Sequence, residues 1–108
     1  MTLENFVIAP YTKNVMKEGR LNVEFNPSAF KHGVREEDIR FAFDNKLFDH
    51  PVAGHEEKNL LIGLDRRLIP LEILYNEIGE NSVNVFHAME CRKAWRDLAK
   101  LEDTIWQE

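Results

Sequence analysis

The residues with the most potential for chemistry lie close together near the end of the sequence. His87 ends an alternating, β-type run, and Arg92 and Lys93 follow it closely. Histidine takes or gives a proton near neutral pH, and arginine presents a rigid fork of donors that matches phosphate oxygens. We therefore predict a site for proton transfer beside a bound phosphate, with His87, Arg92 and Lys93 as catalytic candidates.

A purely structural role is the alternative for the same residues. A histidine at a strand end often bonds to a neighbouring carbonyl group, and cations in a first helical turn can face water even though the helix dipole disfavours them there. Arg96 lies one helical turn after Arg92 and is a candidate substrate-binding residue. The spacing alone leaves both interpretations open.

Two further groups of ionisable residues could take part in proton transfer beside a bound phosphate. His32 is a candidate for a second catalytic proton-transfer group, and the adjacent Lys31 is a candidate substrate-binding cation. His32 also ends a short predicted helix, where the dipole stabilises a cation whatever the function. Glu56 and Glu57 either orient a histidine, act as a base, or lie on a solvated loop.

The sequence disfavours a metal centre and a nucleophilic cysteine. Zinc sites use close, regularly spaced ligands on rigid elements, whereas the only acidic and histidine-rich cluster lies in a loop with proline and glycine: Asp49, His50, His55 and Glu56. We therefore predict neither a metal nor a cofactor. Cys91 lies on the presumed buried face of a helix, which predicts a packed thiol. Phosphate-binding loops and hydrolase nucleophile motifs are missing from the sequence.

The composition is that of an ordinary single-domain protein. Its 108 residues are 44% hydrophobic and 31% charged, with a formal net charge of −5. This charge argues against a protein that coats nucleic acid through bulk electrostatics, but it permits a small basic site. No apolar run can span a bilayer, the first residues do not resemble a signal peptide, and a single cysteine is typical of a reducing compartment. We therefore expect a cytoplasmic protein without a membrane partner.

Hydrophobic periodicity divides the chain into predicted elements. Residues 1–20 have weak periodicity and form an extension of uncertain structure, and residues 21–108 form one domain. Alternation predicts strands over residues 21–25, 46–49, 58–64, 69–76 and 82–88. Helical signals predict a short helix after Asn26-Pro27, a helix over residues 35–45 that buries Ile39, Ala42 and Phe43, and a long helix over residues 90–107.

The predicted fold is an α+β domain. Short links between the last three strands imply antiparallel neighbours. An antiparallel sheet of about four strands would then be covered on one face by two N-terminal helical segments and one long C-terminal helix. Regular alternation would place Val83, Val85 and His87 on the same face of this sheet.

Four segments of the sequence resemble one known family. They are Lys31-His32-Gly33-Val34 after a short helix, the helix Glu37–Phe43, the acidic His55-Glu56-Glu57 before an Ile62-Gly63 strand, and Phe86-His87-Ala88 before a basic helix. Together they resemble the BrnT toxins, small ribonucleases with a RelE-like fold that belong to bacterial toxin–antitoxin pairs. The chain departs from the family at His87, where the family has serine, and at Met89, where it has arginine.

The resemblance implies a metal-independent endoribonuclease toxin that acts on RNA and is neutralised by a cognate antitoxin protein. The alternative is a non-catalytic relative that serves as a protein-binding module, since Met89 replaces the family's arginine. The net charge of −5 favours the binding module, whereas the grouping of His87, Arg92 and Lys93 favours the enzyme.

Overall fold

The structure, a computed structural model, describes residues 21–97 apart from the side chain of Glu56. The strands are β1 (Asn22–Phe25), β2 (Lys46–Val52), β3 (His55–Leu64), β4 (Pro70–Gly79) and β5 (Ser82–Glu90). A 3-10 turn (Pro27–Phe30) and helix α1 (Glu36–Asp44) lie between β1 and β2. A short helical segment follows β5 at residues 93–97. Helix α1 agrees with the helix predicted over residues 35–45, and acidic residues occupy its first turn.

The five strands form one mixed sheet in the order β1–β5–β4–β3–β2. Strands β2 to β5 pair antiparallel in chain order, whereas β1 lies parallel to β5 at the edge. The predicted RelE-like, antiparallel sheet of about four strands is therefore wrong. Alternation within a strand identifies the strand but not its distant neighbour, and parallel neighbours need a long connection, which α1 and β2–β4 supply here.

The long helix predicted over residues 90–107 is also wrong. Strand β5 continues to Glu90, which pairs with Leu71 of β4. The N–H of Cys91 then donates to the carbonyl oxygen of Pro70 at 2.9 Å. These backbone hydrogen bonds hold the start of the predicted helix in the sheet, and helical residues begin only at position 93. The predicted span after residue 97 lies outside the described residues.

One face of the sheet packs on α1 and forms the main core. Ile39 and Ala42 of α1 are fully buried on this face, as their spacing predicts, and Phe43 packs against the same cluster. The helix approaches β3 closely at Gly63, where a Cβ atom would collide with the carbonyl oxygen of Ala42. A glycine is therefore required at this contact.

The opposite face, called here the second face, is partly covered by residues that follow β5. Ile62 and Cys91 are buried together, and Phe48 and Trp95 pack against them. The burial of Cys91 agrees with the packed thiol predicted from the sequence. Glu72, the register partner of Ile62, is a charged residue buried on this second face. Among residues 21–97, no helix is long and apolar enough to cross a membrane.

Candidate active site

A buried carboxylate on β4 organises the candidate site. The side chain of Glu72 is only 1% exposed. Its Oε1 accepts hydrogen bonds from the backbone N–H and the Nε–H of Arg92, both at 3.0 Å. Its Oε2 accepts from Nη2 of Arg92 at 2.7 Å and contacts Nε2 of His87 at 2.9 Å. Glu72 therefore joins the two residues that the sequence singled out as the main catalytic candidates.

A β-bulge at Phe86 brings His87 to this carboxylate. Tyr75 pairs with Val85 and Leu74 pairs with His87, so Phe86 has no partner of its own on β4. Val85 lies in the main core, whereas His87 lies on the second face with Glu72. The predicted placement of Val83, Val85 and His87 on one face is therefore wrong for His87. An extra residue in one strand shifts the alternation after it, which re-aims the side chains that follow.

The contacts around Glu72 keep its carboxylate ionised. Burial raises the pKa of Glu72, but the hydrogen bonds from the side chain and backbone of Arg92 and from His87 outweigh it, so the pKa lies below its ordinary value of 4.5. The same pairing raises the pKa of Arg92. Burial, and the charge of Glu72, raise the pKa of the Cys91 thiol to about 11. This thiol is therefore protonated and unsuited to nucleophilic attack at neutral pH.

The ionised carboxylate also fixes the tautomer of His87. A carboxylate only accepts hydrogen bonds, so Nε2 of His87 carries the proton in their 2.9 Å contact. In the neutral imidazole, Nδ1 is then the acceptor, and no described residue bonds to it. The side chain of His87 is 21% exposed, so solvent reaches part of the ring. This arrangement, an oriented imidazole with one free nitrogen, suits a general base.

A second histidine stands beside the first. The rings of His32 and His87 are 5.5 Å apart between centroids and meet edge to face at 74°. His32 follows the 3-10 turn, which is attached to the bulge by a 2.7 Å hydrogen bond from the Ser28 hydroxyl to the carbonyl oxygen of Phe86. Gly33, with φ of 82°, turns the chain immediately after His32. This left-handed glycine thus helps to present His32 at the site.

Arg92 is anchored at one end and accessible at the other. Its side chain is 55% exposed, although Nε and Nη2 bind the buried Glu72. The guanidinium also lies over the ring of Trp95, with 5.4 Å between its central carbon and the ring centroid. No described residue bonds to Nη1 of Arg92, which leaves this group able to donate to an anion.

The other predicted site residues do not join this cluster. Lys31 and Lys93 are exposed and form no ion pair with any described residue. Nε of Arg96 instead donates to the carbonyl oxygen of Cys91 at 3.1 Å. Glu57 lies 3.9 Å from His55 and has no contact with His87 or His32. Within residues 21–97, no three His, Cys, Asp or Glu side chains are grouped so that they could hold a metal ion.

Glu72 is the site residue that sequence reasoning missed. The alternation of Leu71 and Ile73 places Glu72 on the other face of its strand, which the predicted fold left open to solvent. One signal was available, because a single acid within an otherwise apolar strand, Leu71-Glu72-Ile73-Leu74, is unusual in the middle of a sheet. Buried acids are almost always paired, which directs attention to a nearby cation or histidine.

Comparison of the chain with protein-family models, with curated proteins and with solved structures finds no match.

Proposed function

We propose that this protein is a metal-independent endoribonuclease whose proton-transfer residue is His87. The observation that carries the proposal is the buried Glu72 carboxylate, which holds Nε2 of His87 at 2.9 Å and Nη2 of Arg92 at 2.7 Å. A base fixed by a carboxylate, next to a cation with a free donor group, meets the main requirements for phosphodiester cleavage.

In the proposed reaction, RNA supplies its own nucleophile. Nδ1 of His87 takes the proton of a 2′-hydroxyl group, and the 2′-oxygen forms a bond to the adjacent phosphorus. The bond from phosphorus to the 5′-oxygen breaks, and protonated His32 gives its proton to that leaving oxygen. Nη1 of Arg92 donates to a phosphate oxygen as negative charge builds up. The products are a 2′,3′-cyclic phosphate and a 5′-hydroxyl group.

We also propose that the protein is a cytoplasmic toxin, with a cognate antitoxin as its partner. The support is the resemblance of Lys31–Val34 and Phe86–Ala88 to segments of the BrnT toxins. The five-stranded mixed sheet differs from the expected RelE-like fold, so this proposal depends on those segments and on the site. Expression of the chain alone should slow bacterial growth, and co-expression with the product of the adjacent gene should restore growth and give a co-purifying complex. Normal growth without the partner would contradict the proposal.

A non-catalytic, protein-binding role is the second candidate. The pairing of Glu72 with Arg92 favours this candidate. Three of the four contacts of the carboxylate are hydrogen bonds from Arg92, and these donors are not available to a substrate. The same hydrogen bonds attach the start of the helical segment to the sheet, which is a purely structural role. The formal net charge of −5 also favours this candidate over a ribonuclease.

Cleavage of an unstructured RNA by the full-length protein, in the presence of a chelator, distinguishes the two candidates. His87→Ala should lower the rate by roughly 10²–10⁴-fold. Arg92→Lys should also lower it, because a point charge does not replace the planar fork that binds Glu72. His55→Ala is the matched control, since His55 is exposed and far from Glu72 in the sheet register. Wild-type protein without cleavage activity, or a His87→Ala variant as active as the His55→Ala variant, would contradict the enzyme.

A further inference from the structure

The second face continues beyond His87 as a row of polar and aromatic side chains. Lys58 of β3, Asn76 of β4 and Asn84 of β5 are register partners, so they lie side by side across three adjacent strands. Neighbouring strands are about 4.8 Å apart, so the row is roughly 10 Å wide. On β5, the bulged residue Phe86 lies between Asn84, the last member of the row, and His87.

Two features of this row remain unexplained by the packing of the fold. Phe86 is only partly buried, and the ammonium group of Lys58 lies 5.9 Å from the centre of its ring. Oδ1 of Asn76, between them, is a buried acceptor without a hydrogen-bond partner. Buried acceptors without partners are costly and few in folded proteins. Such an acceptor beside an accessible aromatic ring fits a ligand that brings both a flat π-surface and an N–H donor.

We propose that Phe86, Asn76 and Lys58 form the nucleobase subsite for the nucleotide next to the scissile phosphate. The inference depends on the proposed ribonuclease function, because it names the substrate as single-stranded RNA. The base stacks on the ring of Phe86, and an N–H on its edge donates to Oδ1 of Asn76. For this, the ammonium group of Lys58 turns away from the ring, which opens access to the buried Oδ1 of Asn76, and stays close to the backbone phosphate.

The position of Phe86 supports this assignment. Because Phe86 and His87 are consecutive and both lie on the second face, a base on Phe86 leaves its own ribose and phosphate close to His87. An unstacked base is available only in a single strand, so a double-stranded substrate would not fit the subsite. Lys58 supplies a positive charge beside Phe86, whereas Glu24, the register partner of Asn84, lies at the opposite edge of the row on β1. The cation beside the ring favours a ligand that carries a phosphate.

The test uses the full-length protein and two single-stranded oligoribonucleotides of the same sequence. One is ordinary RNA, for kcat and KM, and the other carries 2′-O-methyl groups, which prevent attack and allow the Kd to be measured by fluorescence anisotropy. Phe86→Leu should raise both KM and Kd roughly 5- to 100-fold while kcat changes little. Phe86→Tyr should restore binding, and Asn76→Ala should weaken the preference for the base beside the cleaved bond. Phe41→Leu, on α1, is the matched control for the loss of a ring.

The outcomes separate this inference from the proposed function. If the wild type cleaves RNA but Phe86→Leu and Lys58→Gln keep its KM and Kd, the subsite is wrong and the ribonuclease stands. If the methylated RNA binds in a Phe86-dependent manner without cleavage of ordinary RNA, the subsite stands and the ribonuclease is wrong. If neither RNA binds, or if Phe86→Leu instead abolishes a complex with a protein partner, the subsite is wrong. Equal thermal stability of the variants shows that none of these results reflects unfolding.

Discussion

Replacing Glu72 by glutamine keeps the shape of the side chain and removes its charge. The two carboxylate oxygens now accept every hydrogen bond that Arg92 and His87 direct at them. In Glu72→Gln, an NH2 group takes the place of one oxygen. If it replaces Oε2, it faces Nη2 of Arg92, another donor, at a position where the present distance is 2.7 Å. If it replaces Oε1, it faces both the backbone N–H and the Nε–H of Arg92.

The less costly arrangement keeps the oxygen toward the two donors on Oε1 and loses the bond to Nη2. A charge-assisted hydrogen bond contributes about 1.5–3 kcal/mol, so the free energy of unfolding should fall by about that amount. The new NH2 group also donates to Nε2 of His87, which moves the ring proton to Nδ1 and removes the proposed base. The value of kcat should therefore fall by roughly 10²–10⁴-fold.

Urea unfolding followed by tryptophan fluorescence measures the stability change, and the ¹⁵N shifts of His87 report its tautomer. Glu77→Gln is the matched control, because Glu77 is an exposed acid on the same strand. Its stability should stay within about 0.5 kcal/mol of the wild type. The reasoning would be refuted if Glu72→Gln were as stable as this control and left the proton of His87 on Nε2.

Three further predictions concern the titration of Glu72, the close approach of α1 to β3, and the burial of Cys91. Because the folded-state pKa of Glu72 lies below its ordinary value of 4.5, its ionised form stabilises the protein above that pH, and this contribution is lost as the pH falls below 4.5. The urea midpoint should therefore drop more between pH 6 and pH 3 for the wild type than for Glu72→Gln. Parallel curves for the two proteins would contradict the pairing of Glu72 with Arg92 and His87. Gly63→Ala should lower the free energy of unfolding by about 1–3 kcal/mol, because the new methyl group overpacks against Ala42. Gly79→Ala is the control, since a methyl group there meets only ordinary contacts. Equal urea midpoints for the two variants would contradict the close approach of α1 to β3. Burial raises the pKa of the Cys91 thiol to about 11, so the native thiol should react with iodoacetamide at pH 8 far more slowly than the urea-unfolded thiol. Mass spectrometry follows the reaction, and equal rates would contradict the burial of Cys91.

Sequence patterns correctly predicted the helix and strands that are determined by residues close together in the sequence. The spacing of Ile39 and Ala42 gave the buried stripe of α1 correctly, since a helix repeats within its own length. Strands β3, β4 and β5 follow from alternation and from the short links between them. Cys91 was correctly expected to be buried, but it belongs to the end of the sheet rather than to a helix face.

The features that create the candidate site depend on distant partners. The bulge at Phe86 follows from the pairing of β5 with β4, and nothing in the segment Val83–Ala88 marks where the extra residue falls. The burial of Glu72 depends on Arg92, which is distant in sequence and adjacent in space. The parallel pairing of β1 with β5 joins opposite ends of the domain. The sequence therefore named His87, Arg92 and His32 as candidates, but not the carboxylate that joins the first two or the bulge that re-aims His87.

A double-mutant cycle in RNA cleavage tests most directly whether Glu72 acts through His87. The rates of the wild type, Glu72→Gln, His87→Ala and the double variant would be measured with excess chelator, and the product would be identified by mass. Because the carboxylate acts mainly by orienting this imidazole, Glu72→Gln should slow the reaction far less in the His87→Ala background than in the wild type, with a remaining loss through Arg92. The wild type should release a 2′,3′-cyclic phosphate. Fully additive losses, or a wild type that leaves the RNA intact, would contradict the proposed site.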